Sequence, residues 1–402
     1  MKLLVTADIH MGRIPSVGEW VDLDGTSAWN KIIDTAIEHR VDALILVGDV
    51  VNNNDLWFTV YGHILDGLRK LQEKGIRVFG VGGNHDSSVF ARLSSELPFL
   101  RIIGQGGEWE RFEFNGIDLI GWSFPQSIVK QNPFEHFRRN ESSKLSLGLL
   151  HTDLTSGESN YAPTTIADFD QSGVDLWLLG HIHKPGKIGS SEVYYCGSPF
   201  ALDRNETGDH GAYLLTSNDL THWDSIEHIR LAPYRFESFT VELKEEETQA
   251  AIRQTITRTL QELTQNTQGT IFARLTFTGV VDQRLLDESL VDEEERYSTL
   301  FSTSGGSLLL DRIYDNETVP ALNLEKIAAG SGPAALLARQ ILDPTELEKI
   351  AQTYLELEKT SYSSGAFKRL EPAESDYEEV LRIAKEEALT VLQTLMNQVE
   401  AP

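Results

Sequence analysis

The chain has 402 residues, which at about 150 per domain allows two or three domains with a sizeable core. Hydrophobic residues make up 40% and charged residues 24%, a globular composition and not a disordered one. Lys and Arg total 35 against 61 Asp and Glu, a formal net charge of −26. That balance excludes a chain that grips nucleic acid or an anionic membrane by bulk attraction, but not an enzyme that reaches phosphates through bound cations.

Residues 1–240 hold 20 basic and 32 acidic groups, and residues 241–402 hold 15 and 29, so the acidic excess is denser toward the C-terminus. The single cysteine, Cys196, excludes an internal disulfide framework and a cysteine-based zinc site, and favours a reducing compartment. The apolar run after Met1 is too short for a signal segment, and no stretch reaches the roughly 18 apolar residues of a membrane span. The expectation is a soluble cytoplasmic protein with no membrane contact.

Eight apolar runs predict strands at 2–7, 43–47, 78–81, 117–122, 145–150, 176–179, 193–196 and 212–215. Each is rich in Val, Ile and Leu, as strands buried on both faces require. Helical periodicity over 28–40, opening behind a Ser27 cap, and over 56–74 alternates with them, so the N-terminal part reads as layered α/β. The texture changes near Leu231-Ala232-Pro233. Strands at 240–243 and 271–277 around an amphipathic helix at 248–265 predict a small α+β unit. Residues 323–360 and 374–399 then read as helices, with Pro344 and Pro372 near their starts and Pro333 after a glycine-rich break. The expected organisation is 1–232, 233–320 and 321–402.

Five short segments stand at the C-terminal ends of predicted strands, where open α/β sheets gather their ligands. They are Asp8-Ile9-His10, Gly48-Asp49, Gly83-Asn84-His85-Asp86, His151 and Gly180-His181-Ile182-His183. Carboxylate, imidazole and carboxamide donors without sulfur suit Mn, Fe(II) or Zn used catalytically. Asp8 with His10, and His181 with His183, are two apart and would share one side of an extended turn. So many donors exceed one ion and suit a pair roughly 3.5–4 Å apart, bridged by a carboxylate. Singly each segment has a bland reading as surface, turn or cap; in this order and at these strand ends the bland readings fail together.

This series resembles the calcineurin-like metallophosphoesterases. The run Ala7-Asp8-Ile9-His10-Met11-Gly12, and Cys196-Gly197-Ser198-Pro199 followed by Glu206-Thr207-Gly208, are similar to the SbcD-type DNA repair exonucleases, bacterial relatives of the meiotic-recombination nuclease. The resemblance covers residues 1–215 strongly and the rest weakly. It implies an α/β sandwich of two mixed sheets flanked by helices, with a small α+β capping domain and a helical C-terminal tail. It implies two divalent metal ions, Mn(2+) by preference. Asp8, His10, Asp49 and His183 would hold one ion, and Asp49, Asn84, His151 and His181 the other. His85 would be the catalytic residue beside the scissile phosphate, with general acid as its natural role. The chain departs from the family pattern at Asn52, where an Asp or His is usual; Asn cannot exchange a proton at neutral pH.

The function this implies is hydrolysis of DNA phosphodiesters, 3′→5′ exonucleolytic on duplex ends and endonucleolytic on single strands, with an SbcC-type coiled-coil ATPase as partner. A homodimer is admitted. The alternative in the same chemistry is a small-molecule phosphodiesterase or phosphatase, and the alternative in another class is a catalytically quiet subunit. No Walker A pattern is present, so ATP hydrolysis would come from another chain.

Weaker signals surround these. His39, His63, His136, His210, His222 and His228 read as surface or core residues. Trp20, Trp29 and Trp57 read as core packing before base stacking, and Trp122 as the rim of the site. Lys130, Arg138, Arg139, Lys144, Lys184 and Lys187 read as a phosphate-backbone track or, about equally, as a solvated surface. The acidic runs at 245–247 and 292–295 read as solvated faces. In the last helix Tyr377, Leu381, Ala384, Ala388, Val391, Leu395 and Val399 form an apolar stripe, to be buried on the partner or on the chain itself.

Overall fold

A computed structural model describes every residue except 14–23, 54–56, 98, 155–158, 245–247, 265–268, 291–296, 304–305, 312–314, 321, 364–375 and 400–402. Trp20, Pro372 and the two acidic runs therefore lie outside the described residues, as does the side chain of Trp57. The chain forms two compact units, Met1–Glu237 with Gly269–Ile271, and Ser238–Gln268 with Phe272–Pro402. Among the described residues no helix is long and apolar enough to cross a membrane.

In chain order the first unit contains β1 (Lys2–Thr6), α1 (Gly25–Glu38), β2 (Ala43–Val47), α2 (Trp57–Glu73), β3 (Arg77–Val81), α3 (Ser87–Glu96), β4 (Leu100–Ile102), β5 (Glu110–Phe114) and β6 (Ile117–Trp122). It continues with β7 (Ser146–His151), α4 (Ile166–Gln171), β8 (Leu176–Gly180), β9 (Gly186–Lys187), β10 (Val193–Tyr195), β11 (Gly211–Thr216) and β12 (Ser225–Arg230). They build two six-stranded sheets, ordered β12-β11-β1-β2-β3-β4 and β5-β6-β7-β8-β10-β9. Each sheet is mixed: β1 to β4 run parallel while β11 pairs antiparallel to β1, and β6, β7, β8 and β10 run parallel while β5 and β9 are antiparallel.

The side-chain period of two builds the sandwich. Leu3, Val5, Ala43, Ile45, Val47 and Phe79 of one sheet meet Leu119, Leu147, Leu149, Leu176 and Leu178 of the other in a single buried cluster. The intervening residues of the second sheet, Trp122, Leu150, Trp177 and Leu179, face an aromatic cluster with Phe134, Phe137 and Phe169. Both faces of each central strand are thus dry, at about 1.5–3 kcal/mol for each large apolar side chain buried. All eight predicted strands are present, and so is the expected fold of two mixed sheets flanked by helices.

Two local expectations change. The cap of α1 is Asp24, whose side chain accepts from the Ser27 backbone N–H at 2.9 Å; Ser27 lies inside the helix. Trp122 is buried and donates its indole N–H to the Gly107 carbonyl, so it belongs to the core and not to a rim.

The second unit contains most of β13 (Tyr234–Leu243) and β14 (Gly269–Val281), whose first residues are counted in the first unit, with α5 (Gln249–Thr264), α6 (Gln283–Leu290), β15 (Tyr297–Thr303), β16 (Gly306–Asp311) and β17 (Asp315–Pro320). The sheet order is β13-β14-β16-β15, with β17 parallel to β14. Residues 323–360, expected as helical, form α7 (Leu324–Ala328), α8 (Pro333–Leu342) and most of α9 (Pro344–Ser363); α10 (Tyr377–Val399) follows. Pro333 and Pro344 each sit at a first helical position, where the missing N–H costs nothing. On α10 the buried residues are Val380 and Leu392, the latter packed with Ala338 and Ile341, whereas Val391 is half exposed. Ala388 of the expected stripe joins Leu389 and Leu392 in that cluster, so part of the stripe buries within its own unit.

Candidate metal centre

The first unit brings the predicted residues to one end of the sandwich. Asp8 and His10 follow β1, Asp49 follows β2, Asn84 and His85 follow β3, His151 ends β7, and His181 and His183 follow β8. The chain does not leave these strands as an extended turn. Asp8, His10 and Asp49 have φ near +50° and His181 has φ +100°. Asp8 and His10 converge because the backbone curls, not because it alternates. The loops after β1 and β2 are zipped together by Asp8 N–H to Gly48 O, His10 N–H to Asp49 O and Met11 N–H to Val50 O, at 2.8–3.1 Å.

Three groups bring ligand atoms within 4.8 Å of one another: Asp8, His10 and His183; Asp8, Asp49 and His151; and His10, Asp49 and His85. Asp49 is central, its Oδ2 lying 3.3 Å from His151 Nε2, 3.8 Å from His10 Nε2 and 4.0 Å from His85 Nε2. Asn84 joins through its Oδ1, 3.1 Å from His151 Nε2. His181 stands apart from the three groups. Its ring is 5.4 Å from that of His151 and 5.0 Å from Tyr161, and its N–H donates to both oxygens of Asp8.

His151 is fully buried, and its ring leaves no room for side chains on its neighbours. A Cβ at Gly48, itself at φ +82°, would stand 2.4 Å from His151 Nδ1, and one at Gly180 would stand 2.6 Å from the same atom. Glycine before Asp49 and before His181 is thus a spatial requirement of the motif.

The donor set fits divalent cations. His151 Nδ1 lies 3.0 Å from the Val47 carbonyl, so its hydrogen belongs there and Nε2 offers a lone pair. That lone pair faces Asn84 Oδ1 and Asp49 Oδ2, two more acceptors. Three converging acceptors need positive charge between or on them. Burial opposes a charge on His151, but Asp49 outweighs it and pushes the imidazole up to about 10. His151 in turn, against burial, holds Asp49 well below the usual carboxylate range. A metal ion satisfies the same three lone pairs in the proton's place. Elsewhere in the cluster His10 Nε2 and His183 Nε2 face each other at 3.1 Å, and His10 Nδ1 is buried with no hydrogen-bond partner among the described residues. Burial pulls His10 down to about 3 and His181 to about 4, which keeps both neutral and able to donate a lone pair. Burial also pushes Asp8 up, to about 6.

His85 differs from its neighbours. Its side chain is 45% exposed, and its Nδ1 is 2.7 Å from the main-chain carbonyl of Asn52. The hydrogen bond fixes the ring through the backbone of residue 52, so the unusual side chain there does not alter it. Its own N–H donates to Asp49 Oδ1 at 2.9 Å.

Sequence reasoning gave no role to three residues that shape the site. Asp86 precedes α3 without capping it; its buried carboxylate accepts from Val50 and Gly83 N–H at 2.7 and 2.9 Å and so ties two ligand loops together. Burial, then the Asp49 charge, pushes that carboxyl up to about 7. Tyr161 packs on His181. Glu206 lies 2.7 Å from His183 Nδ1. The signal for Asp86 was its place in the tetrad, and for Glu206 the Glu206-Thr207-Gly208 run. Of the weaker candidates, Trp29 is core, His210 is buried, and Lys144 and Lys187 are paired with Glu113 and Glu192. Lys130, Arg138, Arg139 and Lys184 are exposed.

Residues 1–185 match the family described as calcineurin-like phosphoesterase. The uncharacterized metallophosphoesterase YhaO of Bacillus subtilis is 27% identical over 267 residues, which cover 64% of this chain and 64% of that protein. The DNA double-strand break repair protein Mre11 of Sulfolobus acidocaldarius is 23% identical over 226 residues, covering 52% of this chain and 57% of the relative. The chain thus spans less than two thirds of the length of either. A solved dimetal phosphatase from Danio rerio aligns at 12% identity and TM-score 0.36, over 55% of this chain and 93% of its own.

Proposed function

We propose that this chain, whose residues 1–185 match the calcineurin-like phosphoesterase family, hydrolyses DNA phosphodiesters at a two-metal centre and works in DNA repair. The observation that carries the metal centre is the convergence of Asp49, Asn84 and His151 lone pairs beside the facing His10 and His183 rings. Asp8, His10, Asp49 and His183 would hold one ion, and Asp49, Asn84, His151 and His181 the other. Such ions, with Mn(2+) preferred, supply positive charge to the non-bridging phosphate oxygens and acidify water near neutral pH.

The chain's own residues do the rest. The Asn52 carbonyl takes the Nδ1 hydrogen of His85, leaving Nε2 to face the substrate side. From there a protonated His85 delivers its proton to the departing 3′ oxygen. The His181 N–H pins the Asp8 carboxylate in one orientation, and Asp86 holds the loops of Asp49 and Asn84 at a fixed separation. Support for DNA as substrate comes from the likeness to the archaeal Mre11 repair protein. In this reading the tail at 321–402 docks an SbcC-type coiled-coil ATPase, for which α9 offers exposed Ile350, Tyr354 and Leu357 along one side.

The test is cleavage of 3′-labelled duplex and single-stranded DNA by the purified chain with Mn or Mg, with His85→Ala as control. Mn-dependent cleavage reduced about 10²–10⁴-fold in His85→Ala is expected. Turnover of a small phosphodiester without cleavage of either DNA would replace the nuclease reading by the small-substrate one.

A further inference from the structure

His183 is oriented from behind. Its Nδ1 lies 2.7 Å from Glu206 Oε1, a length typical of a charge-assisted bond. The other oxygen, Oε2, accepts the Leu202 N–H at 2.7 Å and lies 3.5 Å from Ser198 Oγ. Buried His210 braces this loop: its Nδ1 is 3.0 Å from both Ser198 O and Ser198 Oγ, and its Nε2 is 3.1 Å from the Glu206 carbonyl. Ser198 in turn donates its N–H to the His183 carbonyl at 2.9 Å. Glu206 therefore reaches His183 from a scaffold with little freedom.

We propose that Glu206 is a positioning residue that fixes His183 as the Nδ1–H tautomer, and that two acceptor oxygens, not merely a side chain of that size, are required. The inference rests on the reading of His183 as a metal ligand. The two closest groups facing the carboxylate are donors, the imidazole Nδ1–H and the Leu202 N–H, with the Ser198 hydroxyl farther off at 3.5 Å. With both oxygens accepting, His183 Nε2 is left as a bare lone pair aimed at His10 and the cluster.

The consequence is counterintuitive for an isosteric change. Glutamine offers one acceptor and one NH₂. The Leu202 N–H cannot change character, so the glutamine oxygen goes there and its NH₂ turns to His183. The imidazole can respond by moving its hydrogen, which makes Nδ1 the acceptor and Nε2 an N–H. An Nε2–H cannot bind a metal ion. Glu206→Gln should thus harm the site at least as much as Glu206→Ala, which leaves the tautomer free to adjust.

Two measurements on the full chain decide it. Mn(2+) binding by calorimetry should show one of two sites weakened about 10–100-fold in Glu206→Gln, with Glu206→Ala weakened no more than that. Long-range ¹H–¹⁵N spectra of the metal-free protein should show His183 as Nδ1–H in the wild type, as Nε2–H in Glu206→Gln, and as a mixture in Glu206→Ala. Wild-type affinity in either folded variant, or an Nδ1–H His183 in both, overturns the inference. A wild type that binds no Mn overturns the metal reading instead, and the tautomer spectra still judge Glu206.

Discussion

Gly83→Ala tests whether the site works by placement of Asp49. An added Cβ would stand 2.1 Å from Asp49 Oδ1, 2.6 Å from Asp49 N and 2.9 Å from Asp49 Cγ. Ordinary contacts for such an atom begin near 3.4 Å, so the carboxylate must yield by more than 1 Å. It cannot do so by rotating freely, because Oδ1 accepts the His85 N–H and Oδ2 sits 3.3 Å from His151. A displacement of that size at the group proposed to be shared by two ions should cost about 10²-fold in turnover, with about 1–3 kcal/mol of overpacking strain. Gly82→Ala is the internal control. Its Cβ would meet nothing nearer than Ser123 Cβ at 3.6 Å, an ordinary contact. Mn-dependent hydrolysis of a chromogenic phosphodiester, with urea midpoints for both variants, measures the two effects. Equal turnover of Gly83→Ala and Gly82→Ala would show that Asp49 is not placed as described, or that its placement does not matter.

Other consequences are simpler to state. Asp24→Ala should lower stability by about 1 kcal/mol in urea denaturation, while Ser27→Ala, inside α1, should change it by a few tenths at most. Trp29→Ala should cost about 3–5 kcal/mol, because the indole is fully buried and its N–H is held by the His63 carbonyl at 3.0 Å. Duplex affinity of the chain alone, followed by fluorescence anisotropy, should be weak. With Lys130, Arg138, Arg139 and Lys184 as phosphate contacts, it should fall about 10²-fold between 50 and 200 mM salt, at a slope of about −0.9 per contact. Nanomolar binding at physiological salt would show that the net charge of −26 misleads.

The sequence made the centre of the sandwich legible because a strand buried on both faces admits few residue types. β2 reads Ala-Leu-Ile-Leu-Val and is buried throughout, and the abrupt change to Gly48-Asp49 marks where it ends. Edge strands carry no such mark. β5 alternates with Glu and Arg, and β12 is half-exposed along nearly its whole length, so neither showed an apolar run. The cap of α1 was misplaced because Asp24 and Ser27 are both good capping residues and only the backbone chooses between them. On α10 the expected Val391 is half exposed while its neighbour Leu392 is buried, for a similar reason: adjacent apolar residues satisfy the same period. Glu206 is 23 positions from His183, and nothing in a single carboxylate at that distance announces a hydrogen bond. Contacts set by tertiary approach leave the sequence only a motif fragment to betray them.

One feature of the centre ties its chemistry to its stability. Asp8, His10, Asp49 and His181, four of the eight site residues, hold left-handed backbone conformations that L side chains resist. At about 1–3 kcal/mol each, the strain is comparable with the whole stability of an ordinary domain. It persists because alternatives are closed off. The Asp8, His10 and Met11 N–H groups are each committed to the loop after β2, and Asn52 N–H returns the bond to Met11 O. Asp86 gathers Val50 and Gly83 from the other side. Relaxing any one of the four residues would leave a buried N–H or carboxylate unpaired, at a cost like that of the strain it relieves. The curl that brings Asp8 and His10 to the same side is therefore locked by neighbours that bind no ligand themselves. The sandwich core supplies the free energy, the zipper directs it to these four positions, and the candidate ligand cluster is arranged by the fold itself.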